Sequence, residues 1–245
     1  MKTLSKTILT VLVTVVISCG LLSQQAQATI VVPSFDTLAH LTADTNNSIS
    51  IGDKTFNNFT AQPSSLTGYD PNLIVVSASI VGGVYYLTYT GNISLLTAST
   101  EGTTADLLLG YRVTAAAGLI SSIDQDYVGG VGSGIGSLSV DETVKDINGN
   151  VVGNSHLDTG DISDPAFEIG SDQPIISPPQ SVLDVTKDIG LGAFAVGLTP
   201  GFVTISKVEQ SFHQTVPDGG SAVALLGIAL AGIEGARRIF RARKG

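Results

Sequence analysis

The chain has 245 residues, no tryptophan, one cysteine and a formal net charge of −9, from 12 basic and 21 acidic residues. Seven of the basic residues lie at the two ends, so Thr29 to Thr215 holds five basic against nineteen acidic residues, a net of −14. That sign repels nucleic acid and anionic lipid and excludes a nucleic-acid partner, while divalent cations, basic partners or plain solubility remain compatible with it.

At the N-terminus, Lys2 and Lys6 precede an apolar core from Ile8 to Leu22, followed by Ala26-Gln27-Ala28. A positive region, a short apolar core and a small-x-small site make a secretory signal peptide over residues 1–28, cut by signal peptidase after Ala28. The core is short for a membrane span of about 20 residues. Val16-Ile17-Ser18-Cys19 loosely matches a lipoprotein box, but Leu21 and Leu22 carry the apolar core past Cys19, which reads as apolar filler. The mature chain then has no cysteine, no disulfide and no thiolate chemistry.

Residues 29–215 are rich in Gly, Ser, Thr, Val and Ile, which favours strands and turns. Ile49 and Ile51 precede a Gly52-Asp53 turn, then Phe56 and Phe59. Leu73 to Val81, Gly82-Gly83 and Val84 to Thr90 read as a hairpin, with Tyr85, Leu87 and Tyr89 on one face. Leu107, Leu109, Tyr111 and Val113 alternate in the next strand. Ile123, Gln125 and Tyr127 follow a break at Gly118. Gly129 to Gly136 lacks the G-x-G-x-x-G spacing of a phosphate cradle and reads as a glycine-rich loop. Leu138, Val140 and Val144 mark another strand, and Asn148 to Pro179 a long loop or insertion. Val182 to Ile189 and Phe202 to Phe212 are the last strands. Ser139-Val140 with Lys145-Asp146-Ile147 echoes Ser181-Val182 with Lys187-Asp188-Ile189, a similarity better explained by chance or by paired strands in two sheets than by a repeat. Helical periodicity is confined to the two ends. The expected fold is all-β: one β-sandwich-like domain, with a partly open β-barrel as the alternative, flanked by an N-terminal signal helix and a C-terminal transmembrane helix.

The C-terminal segment, residues 216–245, has three parts. Val216, Pro217, Asp218, Gly219 and Gly220 form a short motif; an apolar stretch follows; Arg237, Arg238, Arg241, Arg243 and Lys244 close the chain. A helix over residues 219–236 would be about 27 Å long at 1.5 Å per residue, marginally enough for a hydrocarbon core of about 30 Å. Small residues dilute its leucines, so the anchor is weak. The basic residues of 237–245 are expected to stay cytoplasmic, which places residues 29–215 outside the inner membrane. Motif, apolar helix and arginines, in this order, resemble the VPDSG-CTERM type of exosortase sorting signal, a relative of PEP-CTERM. The resemblance implies a membrane-embedded, cysteine-transpeptidase-like enzyme that recognises the motif and releases or transfers the protein, with the nucleophile on that enzyme. Pro217 blocks helix and the two glycines leave the backbone accessible to it. The resemblance also implies transient anchoring in the inner membrane, then the cell surface or extracellular matrix, with exopolysaccharide or other envelope components as partners. Glu234 and the extension from Phe240 to Gly245 depart from the type. Phe56-Asn57-Asn58-Phe59, Tyr111-Arg112-Val113, Ser139 to Thr143 and Leu183 to Ile189 are similar to ectodomains of PEP-CTERM proteins, which implies a secreted β domain and no chemistry.

Catalytic signals are weak. There is no G-x-S-x-G and no H-E-x-x-H, and His40, His156 and His213 are far apart in sequence. Acidic pairs occur at Asp124 and Asp126 and at Asp141 and Glu142. A glycosidase needs two carboxylates across a cleft, usually with aromatic platforms, and the chain has no tryptophan to supply them. Calcium is the better candidate ligand. Asp146, Asn148 and Asn150 offer oxygens at alternate positions, and Asp158, Asp161 and Asp164 add carboxylates. The stretch is not an EF-hand loop, and a solvated acidic loop explains it more simply. No catalytic or cofactor-binding residue is assigned. The expectation is a non-enzymatic, exosortase-sorted envelope protein; a calcium-dependent adhesive module and a secreted carboxylate hydrolase are the alternatives.

Overall fold

The computed structural model describes residues 34–158 and 172–215. Its strands are β1 (Ser34–Thr37), β2 (Ile49–Ile51), β3 (Lys54–Ser64), β4 (Gly68–Tyr69), β5 (Val75–Val81), β6 (Val84–Thr97), β7 (Thr103–Ala115), β8 (Leu119–Ser133), β9 (Ile135–Asp146), β10 (Val151–Asp158), β11 (Ile175–Gln180), β12 (Val182–Phe194) and β13 (Gly201–Thr215), with one helix, α1 (Leu38–Ala43). One antiparallel sheet runs β1-β5-β6-β13-β8-β11, with β4 also on β6, and the other runs β10-β9-β12-β7-β3-β2. The two are not closed into a barrel.

Each long strand alternates buried and outward residues, as a strand with one covered face must. In β7, Ala105, Leu107, Leu109, Tyr111 and Val113 are buried while the residues between them face out. Leu87, Tyr89, Ile123, Val203 and Phe212 of the first sheet and Phe56, Leu107, Val140 and Ile189 of the second join one hydrophobic core. Phe56, Phe59, Tyr111 and Phe212 form its aromatic part, with the Phe56 and Phe212 ring centroids 5.2 Å apart. Each such side chain contributes about 1.5–3 kcal/mol by leaving water. The expected hairpin is present: Gly82 (φ +59°) and Gly83 (φ +85°) both take positive φ, as a primed two-residue turn requires.

Several expectations are corrected. Gly129 to Ser133 is not a loop but the end of β8, paired with β13 through Gly130↔Thr204 and Val131↔Val203; only Gly134 (φ +70°) turns the chain into β9. A Cβ at Gly129 would lie 2.7 Å from the Thr204 carbonyl oxygen, so the glycine admits β13 where that strand bulges around Ser206. The stretch from Asn148 to Pro179 contains β10 and β11. The echoing segments are not in two sheets: they belong to β9 and β12, neighbours in one sheet, and Lys145 points outward whereas Lys187 points into the core. A helix absent from the expectation, α1, is capped by Thr37 Oγ1, which accepts from His40 N at 3.3 Å, and it buries Leu38 and Leu41. The signal helix and the C-terminal transmembrane helix lie outside the described residues; among the described residues no helix is long and apolar enough to cross a membrane.

Candidate functional site

The sorting segment begins where β13 stops. β13 is a central strand, bonded to β6 on one side and β8 on the other, and its pairing extends to Thr215↔Leu119. One residue earlier, Gln214 Nε2 donates to Asp53 Oδ2 and to the Ala117 carbonyl, both at 2.8 Å. Asp53 also accepts from Lys54 Nζ at 2.8 Å, and Lys54, fully buried, lies 4.1 Å over the Tyr85 ring. Burial lowers the Lys54 pKa, against which Asp53 acts. Burial would raise Asp53, but hydrogen bonds from Lys54, Gln214 and Tyr85 leave it below the ordinary carboxylate value. The domain therefore holds the chain up to the residue before Val216. The motif (Val216, Pro217, Asp218, Gly219, Gly220), the basic group (Arg237, Arg238, Arg241, Arg243, Lys244) and the cleavage-site residues Ala26 and Ala28 lie outside the described residues.

The described calcium candidates lie in two separate places. Asp146 closes the β9–β10 turn: Oδ1 accepts from Asn148 N and Asn150 N and Oδ2 from Asn150 Nδ2, each at 2.9 Å. Those bonds, the Asn150 side chain foremost, hold its carboxyl below the usual range. Asp158 is at the far end of the same hairpin, opposite Ser139, roughly 23 Å away at about 3.3 Å per residue. Asp161 and Asp164 lie outside the described residues. Among the described residues no three His, Cys, Asp or Glu side chains are grouped to hold a metal ion.

Two groups of outward carboxylates bear on the candidate chemistry. On the first sheet, Asp124, Asp126, Glu209, Tyr86, Ser211 and His213 line a depression of about 270 Å³. Asp126 stands directly opposite Glu209, and Lys207 Nζ lies near both, 4.0 Å from Asp126 Oδ2 and 3.3 Å from Glu209 Oε1. Thr88 Oγ1 donates to the other Glu209 oxygen at 2.9 Å. Burial raises Asp124; His213 opposes this while Asp126 and Asp172 add to it. On the second sheet, His156 Nδ1 lies 2.6 Å from Asp141 and Nε2 lies 3.3 Å from Asp158, and these carboxylates, Asp141 first, raise its pKa. Asp141 and Glu142 point to opposite faces and cannot act as a pair. His40 is exposed on α1, 2.5 Å from Asp36.

Glu142 belongs to a buried polar network whose members are far apart in sequence. Lys187 Nζ donates to Glu142 Oε2 at 2.7 Å and to Gln125 Oε1 at 2.6 Å. Gln125 Nε2 donates to Ser155 Oγ at 2.6 Å and to the Val140 carbonyl at 3.2 Å. Tyr111 OH donates to Gln210 Oε1, and Gln210 Nε2 donates to Glu142 Oε2. Gln125 and Gln210 are opposite in one sheet, Glu142 and Lys187 in the other, so these bonds tie the two sheets across the core. Burial lowers the Lys187 pKa, against the attraction of Glu142, and raises Tyr111 well above an ordinary tyrosine. The signal was in the alternation: Lys187 lies between Val185 and Ile189, Glu142 between Val140 and Val144, all inward positions.

No curated protein matches the chain in sequence. Solved structures with a similar arrangement include the enzymatically active domain of bacteriophage CBA120 tailspike protein 4 (9% identity, TM-score 0.27, 62% of this chain and 19% of that one). They also include Arthrobacter globiformis T6 isomalto-dextranase (15%, 0.27, 62% and 23%) and the mannan-recognising carbohydrate-binding module TmCBM27 (11%, 0.33, 64% and 90%). The chain thus spans about a fifth of the first two structures. Residues 215–240 match the family model of the VPDSG-CTERM motif, the C-terminal signal for exosortase sorting.

Proposed function

We propose that this protein is an exported, non-enzymatic β-sandwich protein of the cell surface or extracellular matrix. It is delivered by its signal peptide, held transiently in the inner membrane and processed at Val216–Gly220 by an exosortase-type enzyme. The observation that carries the reading is the VPDSG-CTERM match at residues 215–240, which starts on the last residue of β13. The non-enzymatic part is supported by the commitments of several titratable groups. His156 is engaged by two carboxylates, Glu209 by Thr88 and Lys207, and the Lys187–Glu142 pair lies in the core, out of reach of a substrate. The test is fractionation of cells producing the wild type or a chain lacking residues 216–220, with intact mass of the mature product. The wild type is expected to lose both termini and leave the inner membrane. The deletion is expected to keep its C-terminal mass and stay there. Identical behaviour of the two chains refutes the proposal.

A further inference from the structure

The loops at the end of the sandwich where β13 exits meet in one surface. Ala115 N donates to the Ser181 carbonyl and Ala116 N to the Asp53 carbonyl, both at 2.8 Å, while Gln214 joins Asp53 to Ala117. Asp146, at the β9–β10 turn, is opposite Leu183 at the start of β12, and Lys54 covers Tyr85 beside the β5–β6 turn. On this end Val81 (63% exposed), Leu119 (40%), Ile147 (56%) and Val151 (59%) face solvent.

Charge sets this end apart. Lys54, Arg112 and Lys145 balance Asp53, Asp184 and Asp146: Arg112 grips Asp184 with two hydrogen bonds of 2.7 and 2.8 Å, and Lys145 is opposite Asp184 on the other side. Three of the five basic residues between Thr29 and Thr215 are therefore in this zone, where they match the three acidic residues named, inside a strongly acidic domain. Exposed apolar residues occur at the opposite end too, at Leu96, Ile135, Phe194, Val196 and Leu198, but there, among the described residues, neither Glu101 nor Asp106 is in an ion pair, and the C-terminal segment does not leave from that end.

Chain length supplies the occupant. Val216–Gly220 is the whole connection between the last strand residue and the apolar stretch from Ser221. Five residues span at most about 18 Å fully extended, and one headgroup layer takes up about 5–7 Å of that. We infer that this apolar-studded end, charge-balanced among its described residues, is a seat for the lipid bilayer surface, on which the domain stands while the C-terminal segment anchors it. The inference rests on the anchored stage of the proposed function. Charge favours it, since a base whose described acidic residues are matched by cations can approach a headgroup layer more closely than the acidic flanks can. The apolar side chains add a weak interfacial attraction, lost when the anchor is removed.

The chain from Thr29 to Gly245 has no cysteine, so single probes can be placed on the anchored form. Ile147→Cys and Val151→Cys at the seat and Leu198→Cys at the other end are labelled with an environment-sensitive fluorophore and reconstituted in phosphatidylcholine vesicles containing doxyl-labelled lipid. The expected result is loss of emission at residues 147 and 151 and none at 198. A probe at Leu119→Cys is expected to be quenched likewise, and to lose that quenching when Ile147→Asp and Val151→Asp are added, with the circular-dichroism melt unchanged. A chain that floats with the vesicles while all probes stay in water overturns the seat and leaves the anchor standing. A chain that does not float overturns both. Protection seen only in membranes containing the processing enzyme overturns the lipid assignment in favour of that enzyme.

Discussion

Replacing Lys187 by methionine tests the buried network most directly. The substitution keeps the side-chain length and removes the ammonium that donates to Glu142 at 2.7 Å and Gln125 at 2.6 Å. Glu142 is then a buried carboxylate held only by Gln210; its Oε1 already has no hydrogen-bond partner among the described residues. Removing one member of a buried pair costs about 3–5 kcal/mol. For a domain of this size that is a fall in Tm of about 6–20 °C. Glu142→Leu alone strands the ammonium and is expected to cost a similar amount. The double variant removes both charges and leaves only neutral groups short of a bond, Gln210 Nε2 and Gln125 Oε1, at about 1–3 kcal/mol each before the gain from two apolar side chains. It is therefore expected to be no less stable than either single variant, and the cycle to show a coupling of at least about 3 kcal/mol. Urea unfolding of the purified domain, followed by circular dichroism, gives the four free energies, and equal m-values check that all unfold alike. A Lys187→Met cost below about 1 kcal/mol, or single costs that add within about 0.5 kcal/mol, refutes the network as described.

Three further outcomes follow from the geometry. His156 is expected to titrate above the ordinary 6.5 because Asp141 and Asp158 favour the imidazolium; its small contribution to stability is complete below 6.5 and lost as pH rises through the folded value, and Asp141→Asn is expected to return the NMR midpoint toward 6.5. Asp146 stabilises its turn above its unfolded value of 3.8, and the effect is lost as pH falls through the lower folded value; because Asn148 and Asn150 occupy its oxygens, melting temperatures in calcium and in EDTA are expected to agree while Asp146→Ala melts lower in both, and a rise with calcium counts against this assignment. Gly134→Ala and Gly149→Ala both force a positive φ, at about 1–3 kcal/mol, but the new Cβ at 134 lies 2.5 Å from the Phe194 carbonyl oxygen whereas that at 149 meets nothing within 4 Å, so urea melts are expected to rank 134 as clearly the more damaging.

The hairpin at Gly82-Gly83 and the strand through Leu107 to Val113 are legible because local chemistry specifies them: glycines where φ must be positive, and apolar residues at every second position. Gly129 to Ser133 is not legible, since glycine has no side chain to mark a face and the close approach of β13 is a long-range fact. β10 is hidden because its inward residues include Ser155, which turns to Gln125 rather than to water. β11 is hidden by Pro178 and Pro179, which a sheet edge tolerates, and β11 is an edge. The six-residue α1 is too short to display a helical period. At the site level, a lysine or glutamate in a strand reads as surface until the parity of its neighbours is followed, and even then the partners of Lys187 lie 45 and 62 residues away.

The position of β13 connects the fold to the sorting signal. It is last in sequence and central in space, so β6 and β8 each have one neighbour that arrives only with residues 201–215. The centre of the first sheet's core face depends on that arrival, because Val203, Ile205, Val208 and Phe212 fill the gap between the flanking strands. Gln210 comes with the same strand and completes the bonds from Tyr111 to Glu142, so the polar network closes in the same event. A chain exported from its N-terminus completes this sheet when the residues just before Val216 emerge, and the next residues to emerge are the motif. The order of elements thus places the processing segment immediately after the strand that completes the fold. Gln214, bonded to Asp53 and Ala117, is the last clamp between the two.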